Sequence, residues 1–170
     1  MILTGSEIAA MRLAKQIVIE PYDETCLEQN SYGIHLGKTL IEYDEPFIDA
    51  RRTAKSSEID IPEEGLILEP GRFYLGHTLE QIGGVRFTSE LFANLSTSAQ
   101  GIWIQTSAPL GHVGAVIHWT LEICVAQRVR VFPRMQIGKV CFWQNFGAIS
   151  PYQGRYVQSM SVVASKSFLD

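Results

Sequence analysis

Short runs of apolar and β-branched residues recur along most of the chain, and Gly or Pro residues separate them. Such runs are typical of β-strands. Short strands at regular spacing, punctuated by turn residues, indicate an all-β barrel or sandwich. The pattern predicts strands at residues 17–19, 32–36, 39–43, 66–68, 73–79, 91–95, 102–105, 115–125, 129–132 and 137–144.

A short helix is predicted at the N-terminus. Thr4 precedes Glu7 by three residues, which is the spacing of a capping box. Apolar residues that include Ile8 and Met11 then recur at helical spacing through about Gln16. The sequence therefore predicts one amphipathic helix before the first strand.

Residues 44–64 lack both patterns. They are rich in charged residues and Ser and include two prolines, so we expect an irregular surface excursion. Turns are predicted at residues 69–72 and 133–134, each between two strands. Because no internal repeat or composition shift marks a boundary, the sequence predicts a single mainly β domain spanning residues 1–170.

Composition narrows the classes of partner. The 170 residues are 46% hydrophobic, which is enough for one domain with a real core. A net charge of −4 offers no broad basic field for a nucleic acid. No apolar run reaches the roughly 18 residues of a membrane span, and we identify no signal peptide. Three cysteines, Cys26, Cys124 and Cys141, lie in apolar contexts and are expected to be reduced, buried thiols of a cytoplasmic protein.

Glu122 is the most informative residue because it lies inside the predicted strand 115–125. A carboxylate on a buried strand is costly unless it is paired, hydrogen-bonded or protonated. Such groups concentrate at functional sites, although structural ion pairs also produce them. His118 lies four residues earlier and so on the same strand face, either as a pocket partner or as a structural hydrogen-bonding partner. Trp119 is expected to face away from Glu122, in the core or an interface.

Four segments, in this order, resemble the dCTP deaminase and dUTPase superfamily. They are residues 30–37 (NSYGIHLG), 68–80 (LEPGRFYLGHTLE), 120–122 (TLE) and 133–142 (PRMQIGKVCF). The resemblance is closest to the deaminase branch. It implies a distorted jelly-roll, dUTPase-like β-barrel that forms homotrimers and binds a small-molecule nucleotide between subunits.

The resemblance also implies a chemistry. In the deaminase branch the glutamate that matches Glu122 activates a water for hydrolytic deamination of a cytosine deoxynucleotide, without zinc. No cofactor is then needed for the chemistry, and Mg²⁺ is considered only as a companion of the nucleotide phosphates. The positions that the resemblance assigns to nucleotide binding are Asn94, Ser96, Ala108, His112, Thr120, Arg155, Tyr156 and Gln158.

The sequence departs from the deaminase pattern ahead of Glu122. Without gaps, the family's G-R-S-S-x-A-R motif falls on residues 93–99, so that Leu95 replaces a Ser and Ala99 replaces an Arg. Only the second Ser, Ser96, is kept. The Asp of the D-P-G turn becomes His112, either a solvated loop residue or a polar pocket group that titrates near neutrality. Because losing one preorganised donor costs about 10²–10³ in rate, we expect an altered substrate or weakened chemistry.

Two alternatives stay open beside the deaminase hypothesis. A dUTPase-like pyrophosphatase needs acidic ligands for Mg²⁺ or water, and the D-P-G Asp is absent. A non-catalytic nucleotide-binding or regulatory homologue is favoured by Leu95 and Ala99, whereas retention of Glu122 argues against it. A zinc deaminase is set aside, and no metal site predicted, because the H-x-E and P-C-x-x-C signature is missing.

Overall fold

The computed structural model describes residues 1–104, 108–154, 156, 159 and 161–166. The N-terminal helix α1 spans Gly5–Leu13, three residues shorter at its end than predicted. Thr4 is its N-cap, and the Thr4 hydroxyl accepts a hydrogen bond from the Glu7 amide at 3.4 Å. The predicted cap is therefore confirmed.

Strands are the main regular elements of the remaining structure, as predicted. They are β1 (Ile17–Glu20), β2 (Tyr32–His35), β3 (Thr39–Tyr43), β4 (Ser56–Asp60), β5 (Leu66–Leu68), β6 (Tyr74–Gly84), β7 (Phe87–Ala93), β8 (Ile102–Trp103), β9 (Leu110–Gly111), β10 (Ile117–Val125), β11 (Val129–Val131) and β12 (Gln136–Gln144). A 3₁₀ turn, Glu24–Cys26, precedes β2, and a second short helix, α2 (Leu95–Ala99), follows β7.

The strands form three antiparallel sheets within the described residues. The largest has the order β4-β3-β6-β10-β8, with β1 paired to β6. A second sheet has the order β2-β12-β7-β9, and β11 pairs with β5 in a small third sheet. Ile82 and Leu121 from the first sheet and Leu91 and Phe142 from the second share one buried core. Burial of this shared apolar surface is the main force that holds the two larger sheets together.

Several details of the predicted elements differ from the structure. The strand predicted at 91–95 ends at Ala93, and the chain turns into α2 after Asn94. The excursion at 44–64 contains β4, an edge strand whose exposed, polar side chains give no apolar alternation. The two turns form where predicted, with positive φ at Gly71 and Arg134, but the strands that flank each turn pair with other strands.

The pairing of β6 with β10 contains a register shift that positions the site. His118 pairs with Gln81 and Thr120 pairs with His77. One residue of β10, Trp119, therefore faces three residues of β6, namely 78–80. The Trp119 amide donates to the Thr78 hydroxyl at 2.9 Å, and that hydroxyl donates to the Glu80 carbonyl at 2.7 Å. These bonds stabilise the bulge, because they satisfy polar groups that the interrupted ladder would leave unpaired.

The cysteines agree with the expectation of free thiols. Cys141 is buried, whereas Cys26 and Cys124 are half-buried, and none of the three forms a disulfide. Burial raises the pKa of each thiol. No helix among the described residues is both long and apolar enough to span a membrane.

Candidate functional site

A cavity of about 500 Å³ opens beside β10. Its described lining is mostly apolar and aromatic, with a few hydroxyl and imidazole groups and one carboxylate, Glu122. A mainly apolar pocket with few polar groups is typical of a small-molecule site. The described residues that line it are Tyr43, Phe73, Leu75, Ala108, Leu110, Gly111, His112, Ala115, Ile117, His118, Trp119, Thr120, Glu122, Tyr152, Tyr156, Ser159, Val163 and Ser165.

One face of β10 supplies the polar groups of the cavity floor. His118, Thr120 and Glu122 alternate with the buried residues Trp119 and Leu121, and all three polar residues line the cavity. His118 and Glu122 share this face, but four residues of extended strand separate their Cα atoms by about 13 Å. His118 Nδ1 instead forms a hydrogen bond of 3.0 Å with the Thr78 carbonyl.

The C-terminal segment (described residues 159 and 161–166) bonds to this face of β10 and contributes Ser159, Val163 and Ser165 to the cavity lining. The Ser159 carbonyl accepts a hydrogen bond from the His118 amide at 3.1 Å. Thr120 Oγ1 accepts one from the Val163 amide at 3.4 Å. Val162 is buried against Ile41 in a small second cluster. These contacts place the C-terminal segment beside the strand that carries Glu122.

His112 lies at the cavity rim, immediately after β9. Its ring is exposed and stacks on Tyr152, with the ring centroids 5.4 Å apart and the planes 20° apart. The sequence left His112 as either a solvated loop residue or a polar pocket group. In the structure it is solvated and also lines the cavity. Tyr156, on the same wall, accepts a hydrogen bond from the Lys166 amide at 3.1 Å.

The charge of Glu122 acts on its neighbour Cys124. Cys124 follows on the same face, and burial raises the pKa of its thiol, with a further increase from the Glu122 charge. The described lining includes no Lys or Arg. Among the described residues, no cluster of three or more His, Cys, Asp or Glu side chains could hold a metal ion.

Comparison with known proteins assigns this arrangement to a family. The sequence profile described as dCTP deaminase-like matches residues 2–145. The chain belongs to the dCTP deaminase-like family. Relatives named "dCTP deaminase, dUMP-forming" include one from Hathewaya histolytica, 36% identical over all of this chain and 99% of the relative. One from Leptospira biflexa is 38% identical over all of this chain and 98% of its own length.

The dCTP deaminase-like fold is also found among solved structures. The crystal structure of 2′-deoxycytidine 5′-triphosphate deaminase from Agrobacterium tumefaciens superimposes with a TM-score of 0.65 at 18% identity. The match covers 83% of this chain and 47% of that protein, so this chain spans about half of its length. At this identity the comparison supports the fold alone. The mainly β fold with a short N-terminal helix is thus confirmed.

The residues that the resemblance aligns with the family motif ahead of Glu122, 93–99, run from the end of β7 through α2. Asn94 is the N-cap position of this helix, although its side chain makes no cap hydrogen bond. Leu95 is 84% exposed. Neither Asn94 nor Ser96 is among the described residues that line the cavity of their own chain. The structure thus separates these two predicted nucleotide-binding residues from Glu122.

The other predicted positions divide into two groups. Ala108, His112, Thr120 and Tyr156 line the same cavity as Glu122 and His118. Arg155 and Gln158 lie outside the described residues. Some residues that line the cavity were not predicted as site residues, because they are contributed by separate loops and strands. These are Tyr43, Phe73, Tyr152 and Ser159.

Trp119 has an intermediate position. It lies on the buried side of β10, as the alternation predicts, and its indole nitrogen donates to the Ile82 carbonyl at 3.1 Å. Its ring packs so closely on Gly111 that a Cβ there would lie 2.3 Å from the indole. The same ring also forms part of the cavity wall. Its position is therefore fixed by the core rather than by a ligand.

Proposed function

We propose that this protein is a nucleotide hydrolase that removes the exocyclic amino group of a cytosine, or closely related, deoxynucleotide. The observation that carries the proposal is the position of Glu122, the single carboxylate among the described residues of a largely apolar cavity. Membership of the dCTP deaminase-like family supports the choice of substrate class. The curated relatives named as dCTP deaminases support it further.

Glu122 is proposed as the proton carrier. Its carboxylate takes a proton from a water, and the water oxygen bonds to C4 of the base. The carboxyl group gives this proton to N3 of the ring, then takes the proton of the new C4 hydroxyl and delivers it to the amino group, and the C4–N bond breaks with release of ammonia. The proposal gives zinc no role, because the sequence contains no C-x-x-C motif. Mg²⁺ enters only with the phosphates of the substrate.

The helix α2 is proposed to complete the site of a neighbouring subunit. In its own chain α2 is not among the described cavity residues. Large apolar side chains are exposed near it, among them Phe92, Trp103 and Leu110, and Leu110 also reaches the cavity. An exposed apolar surface that extends to a cavity rim is typical of a subunit boundary. We therefore propose a homotrimer with sites between subunits.

The proposed trimer predicts a mass about three times that of the 19.0 kDa chain in light scattering. Leu95→Asp should lower that mass, because it would bury a charge at the proposed boundary. Leu13→Asp is the matched control, since Leu13 is 80% exposed and Leu95 84%. A monomeric wild-type protein at micromolar concentration would contradict the proposed inter-subunit site.

The replaced motif residues predict slow turnover of dCTP. The side chains of Leu95 and Ala99 carry no polar group that could hold the water or stabilise charge. Removing one such group typically lowers the rate about 10²–10³-fold. We expect conversion well below about 1 s⁻¹, an ordinary enzymatic rate. Ultraviolet detection of the uracil product, with Mg²⁺ present, measures it. Conversion at about 1 s⁻¹ or faster would show that the assignment of residues 93–99 to this motif is wrong.

A second activity has support in the names of the relatives. "dUMP-forming" describes relatives that cover essentially all of this chain. For this chain we propose deamination first, because Glu122 is the single carboxylate among the described lining residues and Mg²⁺ at a triphosphate favours several oxygen ligands. Phosphate analysis distinguishes the cases. Ammonia alone indicates deamination, pyrophosphate alone indicates a dUTPase-like reaction, and both together indicate dUMP formation from dCTP.

A non-catalytic nucleotide-binding role is favoured by one observation, the exposed Leu95 where the family motif has Ser. The experiment that separates it from the enzymatic proposals is a thermal-shift panel of pyrimidine and purine deoxynucleotides. Each nucleotide that raises Tm is then assayed for ammonia and pyrophosphate. Binding with neither product supports the non-catalytic role and rejects the hydrolase proposal.

A further inference from the structure

We propose that His118 selects the sugar of the bound nucleotide, with its Nε2 atom accepting a hydrogen bond from the 3′-hydroxyl of the deoxyribose. This inference rests on the proposed function and extends it to the end of the cavity opposite Glu122. His118 is thus assigned as a specificity-determining residue. Neither the base chemistry nor the family motifs assign this role.

The tautomer of His118 follows from its partner. His118 Nδ1 lies 3.0 Å from the Thr78 carbonyl oxygen. A carbonyl oxygen only accepts hydrogen bonds, so Nδ1 must carry the hydrogen. In the neutral ring Nε2 is then a bare acceptor, and it lies on the opposite side of the ring from that bond. His118 lines the cavity, where a bound donor would meet this acceptor.

A second histidine, His77, bonds to the same carbonyl. His77 Nδ1 also donates to the Thr78 oxygen, at 2.9 Å, and the two rings meet edge to face with centroids 6.1 Å apart. The His77 ring packs against Gly37, where a Cβ would lie 2.1 Å from it. Burial lowers the pKa of His77, and so does its proximity to His118. The Thr78 carbonyl therefore accepts a hydrogen bond from both imidazole rings.

The register shift between β6 and β10 makes the shared carbonyl possible. Residues 78–80 of β6 face Trp119 alone, so the regular ladder is interrupted at Thr78. The Thr78 side chain bonds to both strands, since it accepts from the Trp119 amide and donates to the Glu80 carbonyl. The carbonyl that orients both imidazoles is thus held by a buried residue within the sheet.

The position of His118 indicates which donor it would contact. Extended strand separates His118 from Glu122 by about 13 Å at Cα, on one face of β10. His118 and Glu122 would therefore contact opposite ends of a bound nucleoside rather than the same atom. With Glu122 at C4 of the base, the group at the far end is the sugar. The 3′-hydroxyl is the hydrogen-bond donor of a 2′-deoxyribose in a 5′-nucleotide.

Nitrogen-15 NMR of the imidazoles tests the tautomer without any ligand. The spectrum of the full-length protein at neutral pH should show one ring, absent from His118→Asn, with a protonated Nδ1 and a bare Nε2. A ring protonated at Nε2 alone, or at both nitrogens, would overturn the inference.

Sugar selection is tested by binding of dCTP and 2′,3′-dideoxy-CTP. We expect the wild-type protein to bind the dideoxy analogue about tenfold more weakly, the scale of one hydrogen bond to a buried partner. In His118→Asn the amide can still bond to Thr78 but cannot reach the position of Nε2, so the ratio should fall to about one. His118→Gln, which extends to that position, should keep part of the preference.

His77→Asn is the matched control, because His77 shares the carbonyl but is not among the described lining residues. Its dideoxy ratio should equal that of the wild type once Tm confirms folding. If dCTP binds and His118→Asn keeps the full wild-type ratio, the inference fails while the proposed function survives. If the ratio behaves as expected but no cytosine nucleotide yields ammonia, the proposed function fails and the sugar contact stands. Failure of every nucleotide to bind would overturn both.

Discussion

Glu122→Gln should lower kcat by at least about 100-fold on the nucleotide that gives the largest thermal shift. Glutamine keeps the shape and hydrogen-bonding capacity of the side chain but cannot carry a proton between water and base. Nucleotide affinity and subunit assembly should change little, because neither depends on proton transfer. Ammonia release under saturating nucleotide measures the effect.

Glu58→Gln is the matched control, since Glu58 is exposed on the edge strand β4. It should retain wild-type turnover. If Glu122 instead served only the packing of its strand, Glu122→Gln would change Tm and leave turnover intact. That outcome would remove the carboxylate from the chemistry, whatever the fold.

Glu80→Ala should be the most destabilising of the single substitutions considered, by about 1–3 kcal/mol or more in the free energy of unfolding. The Glu80 side chain is 2% exposed. Its carboxylate accepts from the His35 amide at 3.0 Å, and lies 2.5 Å from His35 Nδ1. Removal of the carboxylate leaves a buried amide and an imidazole without their acceptor, and it also leaves a void.

Urea denaturation followed by circular dichroism measures this loss of stability. Glu58→Ala provides the comparison, because it truncates the same side chain on an exposed strand and should cost less than about 0.5 kcal/mol. Equal stability of Glu80→Ala and the wild type would contradict the structural role of the Glu80–His35 pair.

Most strands could be predicted because the alternation of apolar residues that forms them is a local feature of the sequence. The β10 alternation of buried and half-buried residues was readable from the sequence, and so was the cap at Thr4. Pairing was not readable, because β11 and β12 follow one another in the chain yet join different sheets. β4 was missed because an edge strand needs no apolar face, and α2 because Asn94 ends an apolar run with no visible change of period.

The candidate site could likewise be predicted only in part from the sequence. Glu122 and His118 were predicted to share a strand face, and both line one cavity. The bond that holds His118 could not be predicted, because it depends on a register shift between β6 and β10 that only tertiary pairing creates. Tyr152 was missed for a similar reason, since it comes from a loop that reaches His112 through the fold.

The most direct test of the central claim is the fate of solvent oxygen. Wild-type protein in excess over dCTP, with Mg²⁺ in ¹⁸O-labelled water, should yield a uracil nucleotide with one ¹⁸O at C4, because the attacking water supplies that oxygen. Glu122→Gln should form the same labelled product at least about 100-fold more slowly. Mass spectrometry of the recovered base reads both results. Intact cytosine recovered from wild-type protein that binds dCTP, or labelled uracil formed equally fast by Glu122→Gln, would contradict the account.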